Sequence, residues 1–569
     1  MTWRHTADVR TAALPVAAAA LIAIGGAPRA HPEVSTSSHA AGTVTHVCFL
    51  FMEDMGLQIG PYGDDTVPTP NLDRLASEGV VFESAYCTSA TCSPSRSSIF
   101  TGLYPHQNGH YGLASNPHKP EKSQWGFRLH EGVPTLTPML REAGFATAYT
   151  YKLHVGPEET IPFDRSYRWE DFNSAGSALS DGTQVAAFMR QFHAEYVDDE
   201  SPRMFFMAQS TDTHRPFAWE SGGHNKPLQF SGSPYQIMTA DHGLTLPYFG
   251  PDIPQDPGLL NDVADYYNAI QRVDKVVGET LDALDEMGIA DDTLVIFSAD
   301  HGPPFTRGKV SVYELGAHVP LLVRWPDVST PGLRSDHPVS LVDFMPTVLD
   351  AVGLEIPEHM AGRSWRPLLD GGDDPDRSPY AVSEFHAHMT VNTYWPSRTI
   401  TDGRWKLNLH MLAGRGQGGG VVTDNPPDLR VGRRAPAGSI SRGIYDRFDD
   451  PPRYELFDLR TDPYEWHDLS TDPAYAETKQ RLIEALEQWQ YETADPFADE
   501  SFLDAFTAHY RETENAAKQW SEENGRPFWQ QPRLLDGDQT RWLRQWDEVV
   551  AELRSARTGR SHTTEAPQP

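Results

Sequence analysis

The stretch 46-HVCFLFMED-54 decides the fold. Its first seven residues predict a short buried strand, which ends abruptly at Glu53 and Asp54. The stretch 292-DTLVIFSADHG-302 repeats this design, with Asp300 after its apolar run. Carboxylates at the C-terminal ends of such strands belong at a ligand crevice. The two stretches therefore predict neighbouring strands that carry acidic groups to one edge of a sheet.

Helical patterns lie between and beside these strands, at residues 70–80, 134–144 and 263–288. Further strands are predicted at residues 203–210 and from Val319 onward. Strands that alternate with helices are typical of an α/β fold with a mainly parallel sheet flanked by helices. After Leu369 the pattern changes to shorter strand-like pieces, which predict a smaller α+β C-terminal domain.

The composition changes give a predicted domain organisation. The predicted parts are a signal peptide (1–30), a linker (31–43), a catalytic domain (44–370), a C-terminal subdomain with a small antiparallel sheet (371–496), a helical extension (497–555) and a disordered tail (556–569).

The charge balance excludes several classes of partner. The chain has 47 basic and 79 acidic residues and a net charge of -32, which opposes binding to nucleic acid or to an anionic membrane. Arg4 and Arg10 precede an Ala-rich apolar stretch that ends in small residues, which predicts export to the periplasm or the extracellular space. No later stretch reads as transmembrane.

Only three cysteines occur, so the chain is not a disulfide-stapled scaffold even if it is exported. Cys48 lies within the first apolar strand and is expected in the core. Cys92 instead begins the run 92-CSPSRSSIFTG-102. This run resembles the signature of the sulfatase family, in which a Cys-x-Pro-Ser-Arg motif directs oxidation of the cysteine to formylglycine. The resemblance implies that Cys92 becomes the nucleophile, and that a formylglycine-generating enzyme is a partner in maturation.

Other segments extend the resemblance over most of the chain. They are 101-TGLYPHQNGHYGL-113, 152-KLHVGPE-158, 292-DTLVIFSADHGPPF-305 and 454-YELFDLRTDPYEWHDLSTDP-473. They are most similar to the heparan N-sulfatase, or sulfamidase, branch. The resemblance implies an alkaline-phosphatase-like fold and a hydrolase that acts on a sulfate ester or sulfamate.

A metal site is predicted at the strand ends. Several oxygen ligands suit a hard divalent cation, and the family resemblance implies calcium at Glu53, Asp54, Asp300 and His301. Family members usually have two aspartates in place of 53-ED-54 and often an asparagine in place of His301, so this chain departs at two ligands. A near copy of the second motif, 240-ADHG-243, follows no apolar strand and is expected in a loop.

The resemblance also implies roles for a set of cations and histidines, since sulfate transfer needs positive charge and a proton donor. These are Arg96 for orienting the nucleophile, Lys152 and Lys309 for holding sulfate, His154 for supporting the nucleophile's hydroxyl, and His214 near the leaving group. A cluster of this kind is what a reaction site requires.

The substrate is the least determined property. The expected substrate is N-sulfoglucosamine of heparan sulfate or heparin, with His386 or His388 contacting the sugar ring. The net charge of -32 would repel a long polyanion, so we expect action at the ends of short oligosaccharides. An O-sulfatase, a phosphodiesterase or phosphonate ester hydrolase of the same superfamily, and an inactive carbohydrate-binding relative remain open. The oligomeric state also remains open, a homodimer included.

Overall fold

The first predicted strand, β1 (His46–Met52), lies in the middle of an eight-stranded sheet in the computed structural model. It pairs in parallel with β6 (Arg203–Ser210) on one side and with β7 (Thr293–Ala299) on the other. Glu53 and Asp300 therefore leave the sheet at the same edge, as the sequence predicts.

The structure describes residues 42–114, 127–168, 182–198, 201–217, 234–389, 393–415 and 426–525. The predicted signal peptide, nearly all of the predicted linker, residues 526–555 of the predicted extension and the predicted tail lie outside them.

Strands and helices are numbered here in chain order. The remaining strands are β2 (Val80–Phe82), β3 (Ala85–Tyr86), β4 (Phe145–Tyr151), β5 (Arg165–Arg168), β8 (Leu321–Arg324), β9 (Leu333–Ser335), β10 (Val339–Ser340), β11 (Ala381–Ala387), β12 (Tyr394–Thr401), β13 (Trp405–His410) and β14 (Tyr454–Asp458). The α-helices are α1 (Pro70–Glu78), α2 (Cys92–Thr101), α3 (Pro105–Asn108), α4 (Leu136–Glu142), α5 (Gly182–Tyr196), α6 (Pro257–Met287), α7 (Glu314–Ala317), α8 (Phe344–Ala351), α9 (Pro427–Gly432), α10 (Ile440–Asp449), α11 (Ala476–Glu492) and α12 (Glu500–Asn524). Short 3-10 helices lie at Gly60–Tyr62, Glu158–Thr160, Ala240–His242, Pro247–Phe249, Ala290–Asp292, Leu341–Asp343, Arg366–Leu368, Pro473–Tyr475 and Pro496–Ala498.

The large sheet has the strand order β5-β4-β6-β1-β7-β8-β2-β9. Its strands from β5 to β7 are parallel, whereas β8 runs antiparallel to both of its neighbours, β7 and β2. This arrangement confirms the predicted mainly parallel sheet. The strand expected from Val319 onward begins at Leu321.

Both faces of the large sheet are buried, which explains why β1 is a continuous apolar run. Alternate residues of β1 enter different cores, with Leu50 and Met52 on one face and Phe49 and Phe51 on the other. The long helix α6 packs in the first core. It begins earlier than the sequence pattern predicts, because the Asp256 side chain caps its first turn by accepting from two backbone N–H groups.

The C-terminal part of the chain contains a four-stranded antiparallel sheet in the order β11-β12-β13-β14. Helices α11 and α12 bury apolar residues in a third core with this sheet. Val310 and Val312, from the segment that carries Lys309, belong to the same core. The smaller α+β region predicted from the sequence is therefore confirmed, and it packs against a segment predicted to belong to the site. The exact boundaries of the domains stay a prediction.

Within the described part of the chain, no helix has the length and apolar character needed to cross a bilayer.

Candidate active site

Cys92 is the first residue of α2, directly at the sheet edge where β1 and β7 end. Its side chain is buried, and its Sγ lies 3.7 Å from Glu53 Oε1 and 3.5 Å from His301 Nε2. Burial raises the pKa of the Cys92 thiol to about 12. An unmodified thiol at this position would therefore stay protonated near neutral pH and would be a weak nucleophile.

The acidic residues at the strand ends converge on Cys92. Asp54 adopts a left-handed backbone conformation with φ 52°, and its N–H donates to Asp300 Oδ1 over 3.0 Å. His301 Nε2 lies 3.3 Å from Asp54 Oδ1 and 3.7 Å from Asp300 Oδ1. One ligand atom from each of Asp54, Cys92, Asp300 and His301 falls within 4.8 Å of the others, and Glu53, Asp54 and His214 form a second such group.

The orientation of the His301 ring shows that this cluster suits a cation. Its Nδ1 lies 2.8 Å from the carbonyl oxygen of Gly302, which can only accept a hydrogen bond. In the neutral ring Nδ1 therefore carries the proton, and the lone pair of Nε2 faces the oxygens of Asp54 and Asp300. That nitrogen and the carboxylate oxygens of Asp54 and Asp300 form a set of donor atoms of the kind that divalent cations bind. The residues present thus fit a divalent cation.

Arg96 is held rigidly beside the acidic cluster. Its Nε donates to Asp300 Oδ2 over 3.0 Å, and its Nη1 donates to Gln209 Oε1 over 2.7 Å and to the carbonyl of Lys152 over 3.0 Å. The guanidinium also lies 4.7 Å from the centre of the Phe51 ring. These contacts fix a permanently charged group one helical turn after Cys92.

Two lysines add further positive charge beside the acidic cluster. Lys309 Nζ donates to Asp54 Oδ2 over 2.8 Å, and Lys152 Nζ donates to Glu53 Oε1. Burial alone would raise the pKa of the Glu53 carboxyl, but Lys152 and His214 beside it hold that pKa well below its ordinary value. Glu53 is therefore ionised although it is buried.

The histidines differ in their exposure and in their contacts. Burial, with Lys152 nearby, holds the pKa of His154 well below its ordinary value, so this imidazole is neutral. His214 keeps 29% of its side chain exposed, and its Nε2 lies 4.0 Å from Glu53 Oε1. His388 places Nδ1 2.5 Å from Thr91 Oγ1, next to Cys92. Burial lowers the pKa of His388 well below its ordinary value, and the positive charge of Lys309 lowers it further.

The structure thus brings most of the predicted site residues together and leaves one apart. His386 lies in a separate buried network, where its Nε2 is 3.0 Å from Arg398 Nη2 and its ring is 4.5 Å from that of Phe497. Sequence reasoning missed Gln209 and Thr91. Gln209 follows the apolar run 204-MFFMA-208 of β6, and this change from apolar to polar residues before the strand ends is the signal that could have identified it.

Comparison with known proteins agrees with this geometry. A family model described as Sulfatase matches residues 45–354, and a second, described as N-sulphoglucosamine sulphohydrolase, C-terminal, matches residues 306–414. The chain belongs to the sulfatase family. It is 32% identical to human N-sulphoglucosamine sulphohydrolase over 483 residues, which cover 79% of this chain and 90% of the relative.

Two solved structures show the same fold at about one-fifth sequence identity. A protein solved in complex with its substrate D-glucosamine-2-N,6-O-disulfate has a TM-score of 0.55 and 20% identity, with 80% of this chain and 100% of that chain covered. A phosphonate monoester hydrolase from Silicibacter pomeroyi has a TM-score of 0.55 and 20% identity, with 79% and 96% covered. The predicted alkaline-phosphatase-like α/β fold is therefore confirmed.

The two ADHG motifs allow a matched test of the metal cluster. Asp300 is buried among the other candidate ligands, whereas Asp241 lies in an exposed 3-10 turn. We expect Asp300→Asn to weaken the binding of a divalent cation by about tenfold or more, because it removes one anionic ligand. Asp241→Asn should leave binding unchanged. Calorimetric titration of chelator-treated protein with calcium or manganese measures both, and an equal loss in the two variants would contradict the assignment.

Proposed function

We propose that this chain hydrolyses a sulfamate or sulfate ester on a sugar, and that its main substrate is N-sulfoglucosamine at the ends of heparan sulfate or heparin oligosaccharides. The observation that carries the proposal is the position of Cys92 at the start of a buried helix, facing a carboxylate cluster and flanked by three cations. The similarity to human N-sulphoglucosamine sulphohydrolase, which extends over 90% of that protein, supports the choice of substrate.

The proposed nucleophile is formylglycine, made from Cys92 by a formylglycine-generating enzyme. Its hydrated form would supply one hydroxyl for attack on sulfur and a second whose deprotonation releases the sulfate. Two observations support it. The motif 92-CSPSR-96 is intact, and the raised pKa of the Cys92 thiol makes the unmodified residue a poor nucleophile.

The charged residues have distinct proposed roles. Arg96 orients the group at position 92, because its three hydrogen bonds leave the guanidinium little freedom. Lys152 and Lys309 bind sulfate oxygens and neutralise their charge. The neutral His154 accepts a proton from the nucleophile's hydroxyl. The partly exposed His214 protonates the departing nitrogen or oxygen.

The proposed metal is a single calcium ion held by Glu53, Asp54, Asp300 and His301. A bound divalent cation would polarise the sulfate and hold the oxygen nucleophile. The three carboxylates suit calcium, whereas the imidazole nitrogen is a ligand that manganese and zinc accept more readily.

We also propose that the protein is exported and acts outside the cytoplasm, in accord with the expected signal peptide. Its negative surface directs it to short substrates rather than to intact polymer.

O-sulfate hydrolysis is the second candidate function. The observation that favours it is the structurally similar protein whose substrate carries both a 2-N and a 6-O sulfate. The same nucleophile and cations would act on either group, and only the atom that accepts the proton would differ. The likeness to a phosphonate monoester hydrolase concerns the fold, so phosphonate and phosphodiester substrates serve as a comparison set.

Replacement of Cys92 tests the central claim. We expect Cys92→Ala to lower sulfate release from N-sulfoglucosamine by at least about 1000-fold, because the covalent route is lost. Cys87→Ala is the matched control, since Cys87 is also buried but lacks the motif. Mass spectrometry of the peptide across position 92 should show formylglycine in the wild-type protein. A thiol at position 92 in active protein would falsify the mechanism, and release of O-sulfate alone would overturn the choice of substrate.

His301→Asn tests the metal preference. It replaces a nitrogen ligand by an amide that can present an oxygen, so we expect affinity for manganese relative to calcium to fall by about tenfold. Metal analysis after dialysis against equal concentrations of both ions gives the ratio without reference to activity. An unchanged ratio would show that His301 does not bind the ion.

The net charge of the chain predicts that activity falls with substrate length and that added salt reduces this dependence. At low ionic strength, we expect activity on a disaccharide to exceed activity per chain end on intact heparin by about tenfold, with the difference shrinking as salt is added. Initial rates of sulfate release at several salt concentrations measure this. A high rate on polymer at low ionic strength would refute chain-end specificity imposed by charge.

A further inference from the structure

The segment that carries Lys309 has little regular structure, although it is almost wholly buried. It runs from residue 302 to residue 318 and contains only the short helix α7. Two residues beside Lys309 have left-handed backbone conformations, Arg307 with φ 65° and Val310 with φ 63°. Such conformations persist at non-glycine residues only where surrounding contacts hold them. One such contact lies within the segment, where Lys309 N donates to the carbonyl of Pro303 over 2.9 Å, and others come from outside it.

Glu465 supplies several of these contacts from the C-terminal region. Its side chain is fully buried, and its Oε2 accepts from Glu314 N over 2.8 Å and from Arg307 Nη2 over 3.2 Å. The carbonyl oxygen of Glu465 accepts from the same Arg307 Nη2 over 2.9 Å. One residue thus holds the segment on both sides of Lys309.

Lys406, on β13, links this contact to the C-terminal sheet. Its Nζ lies 3.1 Å from Glu465 Oε1 and donates to Glu314 Oε2 over 2.8 Å. The other oxygen of Glu314 accepts from Tyr86 OH over 2.8 Å. Two buried cations, Lys406 and Arg307, therefore balance two buried carboxylates. Removal of any one of these four charged side chains would leave a buried charge unpaired, which is destabilising because water cannot solvate it.

The opposite side of the segment faces the reaction site. Lys309 Nζ donates to Asp54 Oδ2 over 2.8 Å. Val310 N donates to the carbonyl of Ala90 over 2.6 Å, two residues before Cys92. A displacement of the segment would therefore move Lys309 relative to both the acidic cluster and the nucleophile.

We propose that Glu465 is a positioning residue for Lys309, which it fixes through Arg307 and Glu314 without touching the substrate. The inference rests on the proposed function in one respect, namely that Lys309 binds sulfate. The C-terminal region would then contribute to sulfate binding as well as to any recognition of the sugar.

Glu465→Gln tests this proposal in the mature full-length enzyme, because it keeps the shape of the side chain and removes its charge. We expect the inhibition constant for inorganic sulfate to rise by about tenfold. This is the size of effect expected when a buried contact that is coupled to the binding residue is lost. In a Lys309→Ala background the same substitution should cause no further weakening. A residue that only supports overall stability would weaken sulfate binding equally in both backgrounds.

Asp495→Asn is the matched control. Asp495 is fully buried and paired with Arg398 at 2.8 Å, and its other hydrogen bonds are to Gln490 and to the backbone of Phe497. We expect it to lower the melting temperature as Glu465→Gln does, with no change in inhibition by sulfate.

Amide hydrogen exchange gives a readout that does not depend on the reaction. We expect peptides spanning residues 303–315 to exchange about tenfold faster in Glu465→Gln than in wild type, and at the wild-type rate in Asp495→Asn. If the wild-type enzyme released no sulfate while this exchange pattern held, the proposed function would fail and the positioning role would stand. If exchange and sulfate inhibition were both unchanged, the positioning role would be wrong. Should Glu465→Gln not fold, Arg307→Gln removes the same contact from the other side, with the same expected results.

Discussion

The structure depends on the balance of charge at one edge of the large sheet. Glu53, Asp54 and Asp300 are buried where β1 and β7 end, and buried carboxylates are stable only if they are paired. Arg96 and Lys309 supply cations from different segments, and each donates to one of these carboxylates. In the proposed function the same cations act in the reaction, Arg96 by orienting the nucleophile and Lys309 by binding sulfate. Folding and the proposed catalysis therefore both require cations at this edge of the sheet.

The C-terminal region acts as a second support for that edge. Its antiparallel sheet shares a core with Val310 and Val312, and its buried charges reach the segment that carries Lys309. The region that carries His386 and His388, the two residues predicted to contact the sugar, thus also contacts the segment of Lys309, which is proposed to bind sulfate. The segment is thus held between two cores, because its Phe305 and Leu315 belong to the first core and its Val310 and Val312 to the third.

In the proposed function, the net charge of the chain and the cations of the site affect substrate choice separately. A net charge of -32 repels polyanions at long range, whereas Lys152 and Lys309 are proposed to bind a single sulfate group. The repulsion grows with the length of the substrate, whereas the attraction involves a single sulfate group. Under the proposed function, this combination favours a sulfate group at the end of a short chain over one in the interior of a long chain.

The sequence alone determined the buried strands, the acidic residues at their ends and the cysteine of the 92-CSPSR-96 motif, because apolar runs and short motifs are local patterns. Tertiary structure decided which residues distant in sequence come into contact at the site. Gln209 hydrogen-bonds Arg96, Thr91 hydrogen-bonds His388, and Glu465 hydrogen-bonds the segment that carries Lys309. His386 and His388 show the limit most clearly. Strand alternation would place both on one face, but β11 ends at Ala387, so His388 lies just beyond the strand. His386 lies against Arg398, whereas His388 reaches Thr91, and no pattern in one strand can report a contact made by the fold of the whole chain.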